Sequence, residues 1–168
     1  MSSFKPSILI ASLAASLLLS GCVQPMYGGL EGAALRSQLS AIAIEPIPDR
    51  IGHYLANELS FSLNGTGSSV TPKYRLYIAI RETVQTPLID TISGRATAGS
   101  VVVDADYRLL PAEGGAPVTE GVAFTVASYD RSSQRFANIR AARDAEIRDA
   151  KTLADQIKTR LAIALAHN

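Results

Sequence analysis

"KYRLYIAIRETV", residues 73–84, alternates without a slip: Tyr74, Leu76, Ile78 and Ile80 fall on one side, Arg75, Tyr77, Ala79 and Arg81 on the other. A period of two marks a half-buried strand, because successive side chains of a pleated backbone point to opposite faces. "SVVVDADYRLL", residues 100–110, repeats the pattern, with Val101, Val103, Ala105, Tyr107 and Leu109 opposed by Asp104, Asp106 and Arg108. "GVAFTVASYD", residues 121–130, sets Val122, Phe124 and Val126 against Ala123, Thr125 and Ala127. The bulkier trio is the expected dry side there, which leaves Tyr129 on the wet one. "PAEGGAP", residues 111–117, is a good hairpin loop between the last two runs. Together the three runs read as an antiparallel meander with one apolar face.

Outward from this meander the period changes. Upstream, "LSAIAIEPI", residues 39–47, reads as a short strand with Ile42 and Ile44 on one face, stopped by Pro46. Asp49 then offers a cap for a helix whose stripe is Ile51, Leu55, Leu59 and Leu63, ended by Asn64-Gly65. Downstream, residues 136–166 carry Ile147, Ala150, Ala154, Ile157, Leu161 and Ala164 at alternating threes and fours. Arg140, Arg143, Asp144, Arg148, Asp149 and Lys151 lie mostly off that stripe and read as a solvated helix face.

The order is β-α-β-β-β-α, and each strand has one apolar face to cover. The expected fold is therefore α+β: a two-layer sandwich, a four-stranded mostly antiparallel sheet with two helices on one face. Ile78 and Leu161 are expected to meet across the layers. The opposite sheet face would show Arg75, Tyr77, Arg81, Asp104, Asp106, Arg108 and Tyr129 to water or to a partner.

The N-terminus has a different chemistry. Lys5 precedes residues 8–19, an apolar run too short for a bilayer span of ~20 residues but suited to a secretory signal. The run ends at Leu19-Ser20-Gly21-Cys22, which resembles the bacterial lipobox, and Cys22 is the only cysteine in the chain. In a lipobox the cysteine sulfur takes a diacylglycerol through a thioether, a peptidase cuts before it, and the freed amine is acylated. A deprotonated thiol is the side chain best suited to that transfer. A single chain holds a membrane only marginally, whereas two or more hold firmly. Residues 1–21 are thus expected to be a signal, 22–39 a lipidated Gly-rich tether, and 40–168 a single domain. Val23 is not the aspartate that retains such lipoproteins at the inner membrane, so the outer membrane, facing the periplasm, is favoured.

Composition excludes several roles. The signal holds one of the 16 Lys+Arg and none of the 15 Asp+Glu, so the mature chain is formally neutral and lacks the basic excess of a nucleic-acid binder. With its one cysteine lipidated, the mature chain can form no disulfide within itself, and its stability rests on packing. His53 lies inside a helix and His167 one residue from the end, neither beside a Ser or Cys partner, so no nucleophilic triad forms; the His and Cys count gives no metal cluster. Asp104 and Asp106 share a strand face and could imitate a catalytic pair, as in a periplasmic hydrolase, but Arg108 would keep both ionised. No enzyme is expected, and no cofactor beyond the covalent lipid on Cys22.

"CVQPMYG" at 22–28, "IAIEPIPDRIGHYLANEL" at 42–59, "ADYRLL" at 105–110 and "ASYDR" at 127–131, before a long Ala- and Arg-rich helix, resemble the LPS-assembly lipoprotein family, LptE, in its alphaproteobacterial form. That resemblance implies a lipoprotein plug in the outer-membrane β-barrel LptD, helping the barrel assemble and insert lipopolysaccharide into the outer leaflet. An auxiliary lipoprotein of a lipid-transporting ABC system is the alternative. Arg81, Arg95 and Arg108 are the candidate contacts for lipid phosphates, since guanidinium groups form forked bonds to phosphate oxygens. The competing expectation for each is a cross-strand pair with Asp104 or Asp106.

Overall fold

A computed structural model describes residues 29–65, 70–86 and 97–167. Contacts divide the chain between Ala34 and Leu35. Of the first unit, the described part is the opening of helix α1 (Gly29–Ser40). The rest concerns the second unit, from Leu35 onward.

Its elements follow in order: the end of α1, β1 (Ile42–Ile44), α2 (Asp49–Asn64), β2 (Tyr74–Gln85), β3 (Ala98–Pro111), β4 (Thr119–Asp130) and α3 (Arg135–Ala166). The four strands make one sheet in the order β1-β2-β3-β4. β1 runs parallel to β2 over three residues, and the longer pairs β2–β3 and β3–β4 are antiparallel. The sheet is therefore mixed, with two layers as expected: α3 packs across β4 and β3, and α2 against α3 and β1. The helix stripe Ile51, Leu55, Leu59 and Leu63 is buried, as are Leu76, Ile78, Val101, Val103, Ala105, Tyr107 and Leu109 on the strands. Ile78 and Leu161 belong to the same core cluster.

Four local expectations are corrected. Residues 22–39 were expected to be tether, yet their second half lies in α1, whose Leu35 and Leu39 are buried in the core. Asp49 does not cap α2: Pro48 holds the cap position without a side-chain bond, and Asp49 is the first helical residue, at φ 68. Its charge still suits the positive end of the helix dipole. Ile147, placed on the buried stripe of α3, is 41% exposed, and Ala164 is half-buried, while Asp149 and Glu146 are buried instead. The stripe of α3 runs through Ala145, Ala150, Leu153, Ala154, Ile157, Leu161, Ala162 and Leu165.

The fourth correction concerns β4. Ala123, Thr125 and Ala127 face the helices, while Val122, Phe124 and Val126 face outward, half-exposed. Small side chains on the inner face let α3 lie close to the strand, and α3 answers with its own alanines. Tyr129 accordingly packs inward, over Gly99, its direct partner on β3. A Cβ at Gly99 would lie 2.5 Å from that ring, and one at Gly121 2.8 Å from the Tyr107 hydroxyl. Each tyrosine fills the space that its glycine partner leaves.

Candidate functional site

The outer sheet face is the surface that none of the described helices covers. Register sets its rows: Tyr77 opposite Arg108, itself opposite Glu120; Ala79 opposite Asp106 and Val122; Arg81 opposite Asp104 and Phe124; Thr83 opposite Val102 and Val126. The face thus has two lanes. Along β4 runs an apolar lane, Val122, Phe124 and Val126, at 49%, 53% and 47% exposure, widened by Val102. Along β2 and β3 runs an ionic lane in which Arg81 pairs diagonally with Asp106 at 3.3 Å.

Of the three candidate phosphate contacts, the structure brings two to this face. Arg81 is engaged by Asp106, the cross-strand pairing that competed with the phosphate reading, although its side chain is still 71% exposed. Arg108 is exposed and forms no ion pair among the described residues. Arg95 lies outside the described residues, as does Cys22. Asp104 and Asp106 share the outer face, but with Asp106 bound to Arg81 they form no isolated acid pair.

β4 is an edge strand, and its outward carbonyls would invite pairing with another strand. Side chains of α3 close that edge: Arg148 donates to the Ser128 carbonyl at 3.0 Å, Gln156 to Phe124 at 3.1 Å, and Arg160 to Val122. Residues 148, 156 and 160 differ by multiples of four, hence share one side of the helix. Polarity alone predicts a solvated face for the charges of this helix; the four-residue spacing is the signal that some have a common target.

Two acids of α3 are buried. Glu146, 3% exposed, accepts from both Arg50 Nε at 2.7 Å and Arg50 Nη2 at 2.5 Å. That hydrogen-bonded partner, with its charge, raises the Arg50 guanidinium further above its usual range. Asp149, 1% exposed, accepts from the Thr125 hydroxyl at 3.0 Å through Oδ1, and its Oδ2 meets no well-formed hydrogen-bond donor among the described residues. Nearby Glu82 is pushed up by desolvation and by the Glu146 charge.

None of the curated proteins matches this sequence. The family model of LptE, lipopolysaccharide-assembly, matches residues 39–161. The chain belongs to the LptE lipopolysaccharide-assembly family. A crystal structure of a lipoprotein from Caulobacter crescentus CB15 is 28% identical, with 81% of this chain and 98% of that one covered at a TM-score of 0.68. A minor lipoprotein from Acinetobacter baumannii shares the fold at 15% identity and a TM-score of 0.52, over 73% of this chain and 90% of that one. The match spans the two-layer domain, so the LptE fold positions the outer face described above.

Asp149 is expected to make the stability of this LptE-family domain depend on pH. Burial pushes its carboxyl above the usual ~3.9, and the Thr125 hydrogen bond only partly opposes this. The fold therefore binds that proton more tightly than the unfolded chain does. The stabilising contribution is fully present below ~pH 3.9 and is lost as pH rises through the raised value. Asp149→Asn, which is neutral throughout, is expected to melt higher than the parent at neutral pH, with the gap narrowing as pH falls toward 4. Parallel melting curves for the two proteins across pH 4–8 would show that Asp149 does not titrate in this way.

Proposed function

We propose that this chain is the lipid-anchored subunit of the outer-membrane lipopolysaccharide translocon, seated in the LptD β-barrel as a plug and helping to insert lipopolysaccharide into the outer leaflet. Its role is non-enzymatic: binding, positioning and assisting barrel assembly. The observation that carries this reading, given the family, is the outer sheet face, where an apolar lane of Val122, Phe124 and Val126 lies beside Arg81 and Arg108. A solvent-facing sheet has no physical reason to expose three large apolar side chains in a row, whereas a face that meets a partner does. Among the described residues no helix is long and apolar enough to cross a membrane, and Cys22 supplies the anchor in this proposal.

Pull-down of the lipidated chain from outer membranes is expected to recover a large β-barrel. Recovery of an ABC transporter complex in its place would favour the alternative. For the anchor, Cys22→Ala is expected to leave an unprocessed precursor without lipid. A mature-sized, membrane-held form of that variant would show that the anchor lies elsewhere.

A further inference from the structure

At one end of the outer face lies a cavity of about 390 Å³, lined by Arg75, Tyr77, Leu110, Pro111, Ala112, Glu113 and Gly114. Register explains how it forms. Arg75 stands opposite Leu110 and two residues from Tyr77, so these three share the outer face and make the floor. The chain leaving β3 makes the wall: Ala112 N–H donates to Lys73 O at 2.8 Å, and Gly114 N–H turns back to Pro111 O at 3.0 Å. Gly114 and Gly115 have φ of 87° and 122°, a backbone that glycine adopts without strain. The wall is therefore tied to the sheet.

The polar groups around the cavity keep hydrogen-bonding capacity, Arg75 being held only by a long ion pair. Arg75 approaches Glu45 only at 3.8 Å, beyond hydrogen-bond range, and donates no hydrogen bond among the described residues. The Tyr77 hydroxyl and the Glu113 carboxylate accept and donate none there either. A half-exposed aromatic ring, an apolar floor of Leu110, Pro111 and Ala112, one guanidinium and one carboxylate thus converge on a single space. Its volume falls at the small end of the ~300–1,000 Å³ typical of small-molecule sites.

We propose that this cavity binds one pyranose ring of a glycan, stacked on Tyr77, with its hydroxyls donating to Glu113 and accepting from Arg75. A simple anion fits poorly, because Glu113 and Glu45 offset the single positive charge. An acyl chain would leave the Glu113 carboxylate without a partner and give the Arg75 donors nothing to bind. A sugar ring matches all the groups at once, since its axial C–H face is apolar and each hydroxyl both donates and accepts. Arg108 stands directly across from Tyr77 on the neighbouring strand, where it would meet a phosphate carried by the sugar. The sugar comes either from a glycolipid or from a free saccharide; only the choice of glycolipid rests on the proposed function.

The test is amide NMR of the full chain held in a non-glycosidic detergent. Methyl glucoside, octyl glucoside below its micelle concentration, glucose 1-phosphate and inorganic phosphate are titrated separately. Methyl glucoside is expected to shift the Ala112 and Gly114 amides saturably, and Tyr77→Ala and Glu113→Gln to weaken it roughly tenfold, ~1.4 kcal/mol. Glucose 1-phosphate is expected to bind more tightly than the glucoside, with the excess lost in Arg108→Gln. Tighter binding of octyl glucoside assigns a glycolipid, and equal binding a free saccharide. Tyr77 lies on the open face, so a well-dispersed spectrum of its variant is expected and separates lost binding from lost folding. Phosphate alone producing the Gly114 shift while methyl glucoside produces none would overturn the proposal, as would undiminished glucoside binding by Tyr77→Ala. Lipopolysaccharide binding without glucoside binding defeats this inference alone; glucoside binding without lipopolysaccharide binding defeats only the direct lipopolysaccharide contact in the proposed function.

Discussion

Leu161→Ala is expected to cost ~2–5 kcal/mol, while Phe124→Ala, which removes a larger apolar side chain, is expected to cost less than 1 kcal/mol or so. Leu161 has no exposed surface and lies in the core cluster with Ile157, Leu153 and the strand residues Val101 and Val103. Truncating it opens a cavity that close-packed neighbours fill only partly. Phe124 is more than half exposed on the outer face, so its loss returns little buried surface to water. Denaturant melts of both variants decide the matter. Similar midpoints for the two, or a larger loss in Phe124→Ala, would mean that β4 has been assigned the wrong face.

That comparison also bears on what could be read from the sequence. For β2 and β3 the alternation settled the faces, because one side holds aliphatic residues and the other charges: Leu76 and Ile78 against Arg75 and Arg81, Val103 and Leu109 against Asp104 and Arg108. On β4 both sides are uncharged, and hydrophobicity favoured Val122, Phe124 and Val126 as the core. Packing reversed this, since the strand under a long helix needs small residues for close approach, and Ala123, Thr125 and Ala127 supply them. Where both faces of a strand are uncharged, the two-fold pattern separates them but the partner element fixes which is inside.

The final helix misled for a related reason. Polarity places its charged and polar side chains in water, and Arg148, Arg160 and Gln156 indeed remain exposed at the sheet edge while binding its carbonyls. Glu146 and Asp149 escaped because burial of an acid depends on a partner far away in sequence, Arg50 for one and Thr125 for the other. α1 was hidden by its glycines, which read as a tether although Leu35 and Leu39, four apart, already marked one helix face. The outer face was legible in part: the outer positions of β2 and β3 follow from the alternation, but the apolar lane on β4 does not, and the proposed docking rests on that lane.

Replacing Arg81, Arg95 and Arg108 together with Glu is expected to weaken lipopolysaccharide binding strongly and to make cells more permeable to bulky hydrophobic antibiotics, with the domain still folded. Folding should survive because Arg81 and Arg108 are exposed, and the Arg81–Asp106 pair is a surface ion pair of the kind that contributes ~1 kcal/mol or less. Binding should suffer more than with Ala, because each Glu sets a like charge against a phosphate. Arg81 carries a second effect: freed of its partner, Asp106 adds another negative charge to the same lane, beside Val122. The contribution from charge should shrink at high ionic strength, whereas any contribution from Val122, Phe124 and Val126 should not. Binding measured at low and high salt therefore separates the two lanes. If the triple variant binds lipopolysaccharide as tightly as the parent at low salt, phosphate does not meet these arginines, and the outer face serves the barrel wall through its apolar lane.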